Sequence, residues 1–452
     1  MLPARKFSIG ASIFLAVSLI VGIVLDLSGT ALLLLWGGVI FPLLAFYFPA
    51  FVLAVLIVST LLQEMLSVSV GDLGSFNQLL GGILLAVLVT KAFLGRRLRL
   101  VITPVTIALA GMLIFMVISF LLFSVGRASP LQDINQFARS FLLFIICLLA
   151  IRTDRSIRLF VGSLLVGSLI VASTGLFGDS SIEYGYFQVS GRRGGISGIT
   201  PHYIEFAVRC MIPLPIILYG LWRRDQAPRI THFLHLVVVL SLSAAILLSG
   251  SRGAVIAYWF MVALFLGLSS IGMVKKTLLG VILLSTPFLL PIGEILQSLV
   301  LIAQGYVWDP AAADRAELLL LLVRGMDFNH LLWGHGLENF RDGLTGLSTP
   351  PHSIWGQTLY ELGLIGLAFQ LFVVFQVVRL FRSCRREETI ALSPTGQMVM
   401  GMGVSLFVLF FWGAYENIGF LVGTKVLFIL LGGFLAGVRV VQKKQIGEEH
   451  AG

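Results

Sequence analysis

Pro350-Pro351-His352-Ser353-Ile354-Trp355-Gly356-Gln357 is the junction on which the reading of this chain turns. It closes the longest polar interval in a very apolar sequence and opens a hydrophobic segment that runs to about Val378. Segments of about 17–25 apolar residues are what an α-helix needs to cross ~30 Å of hydrocarbon. The junction therefore puts a histidine at the mouth of a membrane helix, at the water interface. Histidine is the side chain best suited to move a proton near neutral pH.

Similar runs recur along the whole length. The 452 residues are 58% hydrophobic and 12% charged, with mean hydropathy +0.99, too apolar for a water-soluble chain. The alternating pattern of a membrane barrel is absent, so the spans should be helices. They are expected at roughly 7–26, 30–47, 49–66, 76–94, 100–124, 136–151, 159–177, 203–222, 231–249, 253–272, 277–298, 353–378, 396–415 and 419–438. The division at Tyr47-Phe48-Pro49-Ala50 and the tight turn Ser249-Gly250-Ser251-Arg252-Gly253 leave twelve spans open, should pairs be short or re-entrant. The expected fold is thus an all-α, polytopic transmembrane bundle of 12–14 spans, with fourteen preferred, forming one integral membrane domain over 1–452. The first span follows Arg5 and Lys6 without a small-x-small cleavage site and reads as an uncleaved first helix. Cys147, Cys210 and Cys384 are far apart, in or beside spans, and imply neither a disulfide framework nor a metal site. The polar end 445–452 is expected to be a short cytoplasmic tail without fixed structure.

Charge supports this layout. With the N-terminus inward, most of the 31 Lys and Arg residues fall at cytoplasmic ends and loops, among them Lys91, Arg96, Arg97, Arg152, Arg379 and Arg439. The positive-inside rule asks for that bias, and both termini come out cytoplasmic. The net charge of +9 is then a matter of topology. The basic clusters are short and juxtamembrane, which fits contact with anionic lipid and not a nucleic-acid footprint.

Two outer loops are long, at about 178–202 and 299–352, and long loops in compact proteins are usually functional or disordered. The second is expected to be partly helical: Ala311 to Met326 reads as a short amphipathic surface helix, followed by a turn at Trp333-Gly334-His335-Gly336. Arg192, Arg193, Arg252, Arg315, Arg324 and Arg341 lie on this outer side, against the inside rule. Arginine presents a planar fork that binds phosphate bidentately, and a cluster of them on a membrane scaffold points to a diphosphate on a lipid carrier. Arg324 and Arg341 also have acidic neighbours that could pair with them (Asp309, Asp314, Asp327, Glu338 and Asp342), whereas Arg193 and Arg252 have few. Within a span, Glu205 and Arg209 stand four apart and form either a buried ion pair tying helices together or a substrate contact.

Helical spacing from His352 puts Gly356, Leu359, Gly363 and Gly366 on its face. A face nearly bare of side chains allows close helix packing and leaves room for an isoprenoid chain beneath the histidine. His202, His330 and His335 are weaker candidates, and together the histidines lack the spacing of a zinc site.

These segments resemble the O-antigen ligase and O-antigen polymerase superfamily of integral membrane glycosyltransferases. Leu248-Ser249-Gly250-Ser251-Arg252-Gly253-Ala254 looks like its S-x-SRG-A turn, and Trp333-Gly334-His335-Gly336-Leu337-Glu338-Asn339-Phe340 like its G-x-G-x-x-x-F turn. His352-Ser353, nine residues, then Gly363-Leu364-Ile365-Gly366 fits the ligase pattern H-[NSQ]-x9-G-x-x-[GT]. The stretch from Arg193 to Pro201-His202 is similar to the family's R-x-x-G…P-N element, with Pro-His in place of Pro-Asn and Arg192 competing for the arginine position.

The resemblance implies a glycan donor on undecaprenyl diphosphate, a lipid A-core acceptor, and chemistry at the periplasmic face of the bacterial inner membrane, with no metal or other cofactor. His352 would be the general base, Arg193 and Arg252 would hold the diphosphate with Arg192 competing, and Arg315 would add to that site. A polymerase would use the same donor and pass the chain to another lipid-linked unit. Its R-x10-G spacing is missing at Arg192 and Arg193 and is off by one at Arg324, so the histidine pattern leans to a ligase. A transporter of lipid-linked sugars would bury charges near the midplane, whereas here most lie at the outer ends.

Overall fold

The computed structural model describes residues 41–62, 76–94, 102–123, 129–177, 203–221, 229–249, 251–268, 326–337, 353–387, 393–414 and 425–449, with residues 277, 280, 281 and 390 between them. Every regular element among these is an α-helix: α1 (Phe41–Tyr47), α2 (Pro49–Leu61), α3 (Phe76–Leu94), α4 (Pro104–Phe123), α5 (Ser129–Ala150), α6 (Asp154–Phe177), α7 (Tyr203–Met211), α8 (Pro213–Leu221), α9 (Arg229–Leu248), α10 (Arg252–Leu268), α11 (Phe328–Trp333), α12 (Ile354–Arg386), α13 (Pro394–Trp412) and α14 (Lys425–Glu449). Six of them are long and apolar enough to cross a membrane: α4, α5, α6, α12, α13 and α14. The chain is a multi-pass helical membrane protein. Shorter apolar helices, α2, α3, α9 and α10, overlap the spans expected at 49–66, 76–94, 231–249 and 253–272. The span expected at 7–26, nearly all of 277–298, the loop 178–202 and the surface helix up to residue 325 lie outside the described residues.

Local chemistry explains the boundaries. The chain breaks between α1 and α2 at Phe48 (φ −133°, ψ 60°), because Pro49 has no N–H to continue the first helix and starts the second. The single span expected at 203–222 is instead two helices, α7 and α8, divided at Ile212. Pro213 is the reason: it removes the N–H that would reach back to the Arg209 carbonyl. That carbonyl is satisfied from a neighbouring helix, where the Ser168 hydroxyl donates to it at 2.6 Å. The polar end 445–449, expected to lack fixed structure, continues helix α14 to Glu449.

Helices α13 and α14 are the centre of the bundle. Within their spans 83% of residues are buried, against 33–44% for the other four long helices. Glycines permit the close approaches: Gly401 lies against the backbone of Ile216 on α8, Gly432 against Phe144 on α5, and Gly437 against Val399. By contrast α4 leaves Ile107, Ile114, Ile118 and Leu121 exposed along one stripe, an apolar face suited to lipid.

Contact registers give the helix directions. On α5 and α14, Phe137 meets Phe428, and Arg439 donates to the carbonyls of Leu148 and Ile151, so these two run parallel. Helix α12 packs on the C-terminal half of α13 from both sides of its break, with Ile354 bonded to Gly413 and Phe381 against Phe407. Asn77 bonded to Ser59, and Gly81 beside Leu56, make α2 and α3 antiparallel.

One end of the bundle gathers Lys91, Arg152 and Arg439. Lys91 Nζ donates to the carbonyl of Phe46 and sits over its ring, Arg152 Nε donates to Leu149 (2.8 Å), and Arg439 Nη2 donates to Leu148 (2.6 Å). Each cation satisfies last-turn carbonyls of a helix, where the helix dipole is negative.

Candidate functional site

Away from that basic end, two of the segments singled out in sequence pack on each other, and the third starts a helix that packs on α13. His352, Arg192, Arg193 and Arg315 lie outside the described residues, as do His202, Arg324 and Arg341. Arg252 is the first residue of α10, and Ser353, the neighbour of His352, is the N-cap of α12.

The serines of the Ser249–Ser251 turn are occupied by the turn itself. Ser251 Oγ accepts from the Ala254 amide (3.2 Å), capping α10, while the Ser249 hydroxyl donates to Ile246 (2.6 Å) and accepts from the Ser251 amide (3.3 Å). Both side chains are buried. Their role is to end one helix and begin the next in almost no length, which leaves Arg252 at a helix start.

The start of α12 is fixed in the same way. Ser353 Oγ accepts from the Gly356 amide (3.3 Å). The Ile354 amide donates to Gly413 at the C-terminal end of α13 (3.0 Å), and Trp355 Nε1 donates to Phe410 (3.3 Å). Helix α10 packs on the same end of α13 through Phe260 and Phe411, whose rings stack at 3.9 Å. Helices α10 and α12 therefore both pack on the C-terminal part of α13, α10 through its middle and α12 through its start.

The third segment docks on α12 through a break in that helix. Gly363 has φ 62° and ψ −165°, which interrupts the helix and frees the carbonyls of Tyr360 and Glu361. The turn after α11 supplies their donors: the His335 amide bonds Tyr360 (2.8 Å) and the Gly336 amide bonds Glu361 (3.1 Å). Rings stack across the same junction, His330 on His335 at 4.0 Å and His335 on Tyr360 at 4.3 Å. Trp333 stacks on Phe115 of α4 at 6.1 Å. Asp327 caps α11, its Oδ1 accepting from the His330 amide (2.8 Å) and facing His330 Nδ1 (2.9 Å). That backbone N–H, followed by the His330 side chain, holds the Asp327 carboxyl below the usual carboxylate range.

The bare glycine face expected beneath His352 needs correction. Gly363 is the break, so helical spacing does not carry across it. The space at Gly363 is filled by backbone: a Cβ there would lie 2.3 Å from the Leu332 carbonyl oxygen. At Gly366 a Cβ would lie 2.3 Å from Leu362 Cβ. At these positions the face receives the α11 turn and its own helix, and has no room for an isoprenoid chain.

Sequence reasoning passed over the polar side chains buried in the same helix. Gln357, Thr358, Glu361 and Gln370 are each at most 7% exposed. Gln357 Nε2 donates to Glu361 Oε1 (3.2 Å), and Gln370 Nε2 reaches across the break to Thr358 Oγ1 (2.7 Å). A carboxylic acid inside an apolar run was the available signal, since such groups are costly in a span and face its protein interior. Among the described residues, no three His, Cys, Asp or Glu side chains converge as metal ligands would.

For Glu205 and Arg209 the geometry favours the ion pair that ties helices. Arg209 Nη2 meets Glu205 Oε2 at 3.0 Å, and Nη1 donates to the carbonyl of Leu61 at the end of α2 (2.7 Å). Arg209 is buried while the Glu205 side chain is half-exposed. No protein-family model and no curated protein matches the chain.

Proposed function

We propose that the chain is an O-antigen ligase-like glycosyltransferase of the bacterial inner membrane, with both termini cytoplasmic and its site periplasmic. It moves a glycan from undecaprenyl diphosphate to a sugar hydroxyl of lipid A-core. His352 takes the proton of that hydroxyl as its oxygen bonds the anomeric carbon. The bond from that carbon to the diphosphate breaks, and the diphosphate leaves with the electron pair. Attack from the side opposite the leaving group inverts the anomeric centre. Arg193 and Arg252 hold the diphosphate and stabilise its developing charge, with Arg192 and Arg315 as further contributors. The unperturbed histidine pKa near 6.5 suits a general base at neutral pH.

The observation that carries this reading is convergence. The start of α12 and the middle of α10 pack on the C-terminal part of α13, and the turn 333–337 docks on α12, although these segments are far apart in sequence. The starts of α10 and α12 and that turn are the segments that bear the resemblance. One end of the bundle gathers Lys91, Arg152 and Arg439, as a cytoplasmic end would.

The test is transfer in vitro, with lipid-linked donor and purified core acceptor. His352→Ala should lower the rate about 10²–10⁴-fold; undiminished transfer removes the general-base role. Deleting the gene separates ligase from polymerase. Polymer accumulating on the carrier with none on lipid A supports the ligase, and a single repeat unit left on lipid A supports the polymerase.

A further inference from the structure

A second pair of cations sits away from the basic end. Arg139 lies within the apolar span of α5, and Lys425 opens α14. Arg139 is thirteen residues from Arg152 along α5, and Lys425 fourteen from Arg439 along α14, so each stands about 20 Å of helix away from that end. Arg139 and Lys425 line one cleft of about 230 Å³ together with Asn77 and the apolar side chains of Leu85 and Leu142. Arg139 is exposed, and Leu142, one turn below it, is 44% exposed. A guanidinium on the outer surface of a membrane span is costly unless an anion or water meets it. Its Nε donates to Asn135 Oδ1 at 3.0 Å.

Asn77 adds a second requirement. Its Nδ2 donates to the Ser59 carbonyl (3.1 Å), which fixes the amide so that Oδ1 is an acceptor. Oδ1 is buried and has no partner among the described residues. The cleft thus brings together a guanidinium, an ammonium, one acceptor awaiting a hydroxyl, and an apolar wall. Gly82 keeps it open: a Cβ there would meet nothing within 4 Å.

We propose that this cleft is a binding site for a membrane lipid whose headgroup carries a phosphate and a free hydroxyl. The phosphate lies between Arg139 and Lys425, the hydroxyl donates to Asn77 Oδ1, and a chain runs along Leu85 and Leu142. The site stands apart from the glycan-transfer reading, and neither depends on the other.

The experiment is native mass spectrometry of the full-length protein released from vesicles of defined lipid. The probes are phosphatidylglycerol, phosphatidylmethanol (the same charge without the hydroxyl), phosphatidylcholine and soluble glycerol phosphate. Phosphatidylglycerol should be retained at one per chain, at least tenfold over phosphatidylcholine and several-fold over phosphatidylmethanol. Retention should fall at least tenfold in Arg139→Gln/Lys425→Gln. Gly82→Leu, which fills the cleft without displacing backbone, should lose it equally while melting at the wild-type temperature, and it decides the matter should the double variant fail to fold. Equal retention of phosphatidylcholine, or retention unchanged in these variants, overturns the site. Equal retention of phosphatidylmethanol overturns the role of Asn77. Displacement by millimolar glycerol phosphate overturns the lipid and leaves a site for free phosphate.

Discussion

Gly363 and Gly334 pack backbone against backbone: a Cβ on Gly363 would lie 2.6 Å from the amide nitrogen of Gly334, and one on Gly334 would lie 2.3 Å from the carbonyl oxygen of Glu361. Both residues have positive φ, 62° and 80°. Each therefore answers a steric demand of the other's segment, and alanine at either position meets strain as well as collision. Gly363→Ala and Gly334→Ala should each destabilise by about 2 kcal/mol or more. Because the two changes open the same junction, the double variant should cost clearly less than the sum. Thermal melts in detergent would measure this, and full additivity would mean that the two glycines do not share one interface.

If Arg252 holds the donor diphosphate as proposed, it should not tolerate lysine. Bidentate recognition of a phosphate needs the guanidinium fork, which an ammonium lacks. Transfer by Arg252→Lys should resemble that of Arg252→Ala, lowered about 10–100-fold, if one strong charge-assisted contact of about 1.5–3 kcal/mol is lost. Wild-type transfer in the lysine variant would rule out the fork.

The break at Pro213 and the hydroxyl of Ser168 should be coupled. Ser168→Ala removes the donor to the buried Arg209 carbonyl and should cost about 1–3 kcal/mol. In a Pro213→Ala background the new backbone N–H can take over that carbonyl, so the same serine change should cost less. An identical cost in both backgrounds would separate the hydroxyl from the proline.

Arg209 and Glu205 should respond unequally although they are partners. Arg209→Ala leaves the end of α2 without its buried donor and should cost about 3 kcal/mol. Glu205 is half-exposed and screened, so Glu205→Gln should change stability by less than about 1 kcal/mol. Equal losses in melting experiments would contradict this division.

The cap of α11 should weaken in acid. A depressed carboxyl pKa contributes stability that is present above the unfolded value of about 3.9 and is lost as pH falls through the folded one. Protection of the His330 amide from hydrogen exchange should therefore fall below about pH 4 in the wild type, relative to Asp327→Asn, which keeps a cap without the titration. Parallel curves for the two proteins would remove Asp327 as the cause.

What sequence makes legible here is what local chemistry decides. Phe48-Pro49 marks a break because proline lacks a donor, Ser353 starts a helix because its hydroxyl caps one, and Glu205 reaches Arg209 because residues four apart share a helix face. Pro213 carried the same signal, but a continuous apolar run outweighed it in the reading of 203–222 as one span. Gly363 could not be read in this way. A glycine in an apolar run looks like a packing position, and only the amides of His335 and Gly336, some thirty residues earlier, make an interrupted helix favourable there. The cleft of Arg139 and Lys425 is less legible still, since only the parallel packing of α5 and α14 brings the two cations together.

The interruption in α12 has a mechanical consequence. Residues 354–362 are anchored to α13 at Gly413 and Phe410 and to the α11 turn at His335 and Gly336. The remainder of the helix leaves Leu371, Phe372 and Phe375 exposed, where hydrocarbon would meet them. A tilt of that longer arm, as bilayers of different thickness impose, would therefore load the packed junction at Gly363 and the Gln370–Thr358 bond across it, and so reach the α11 turn.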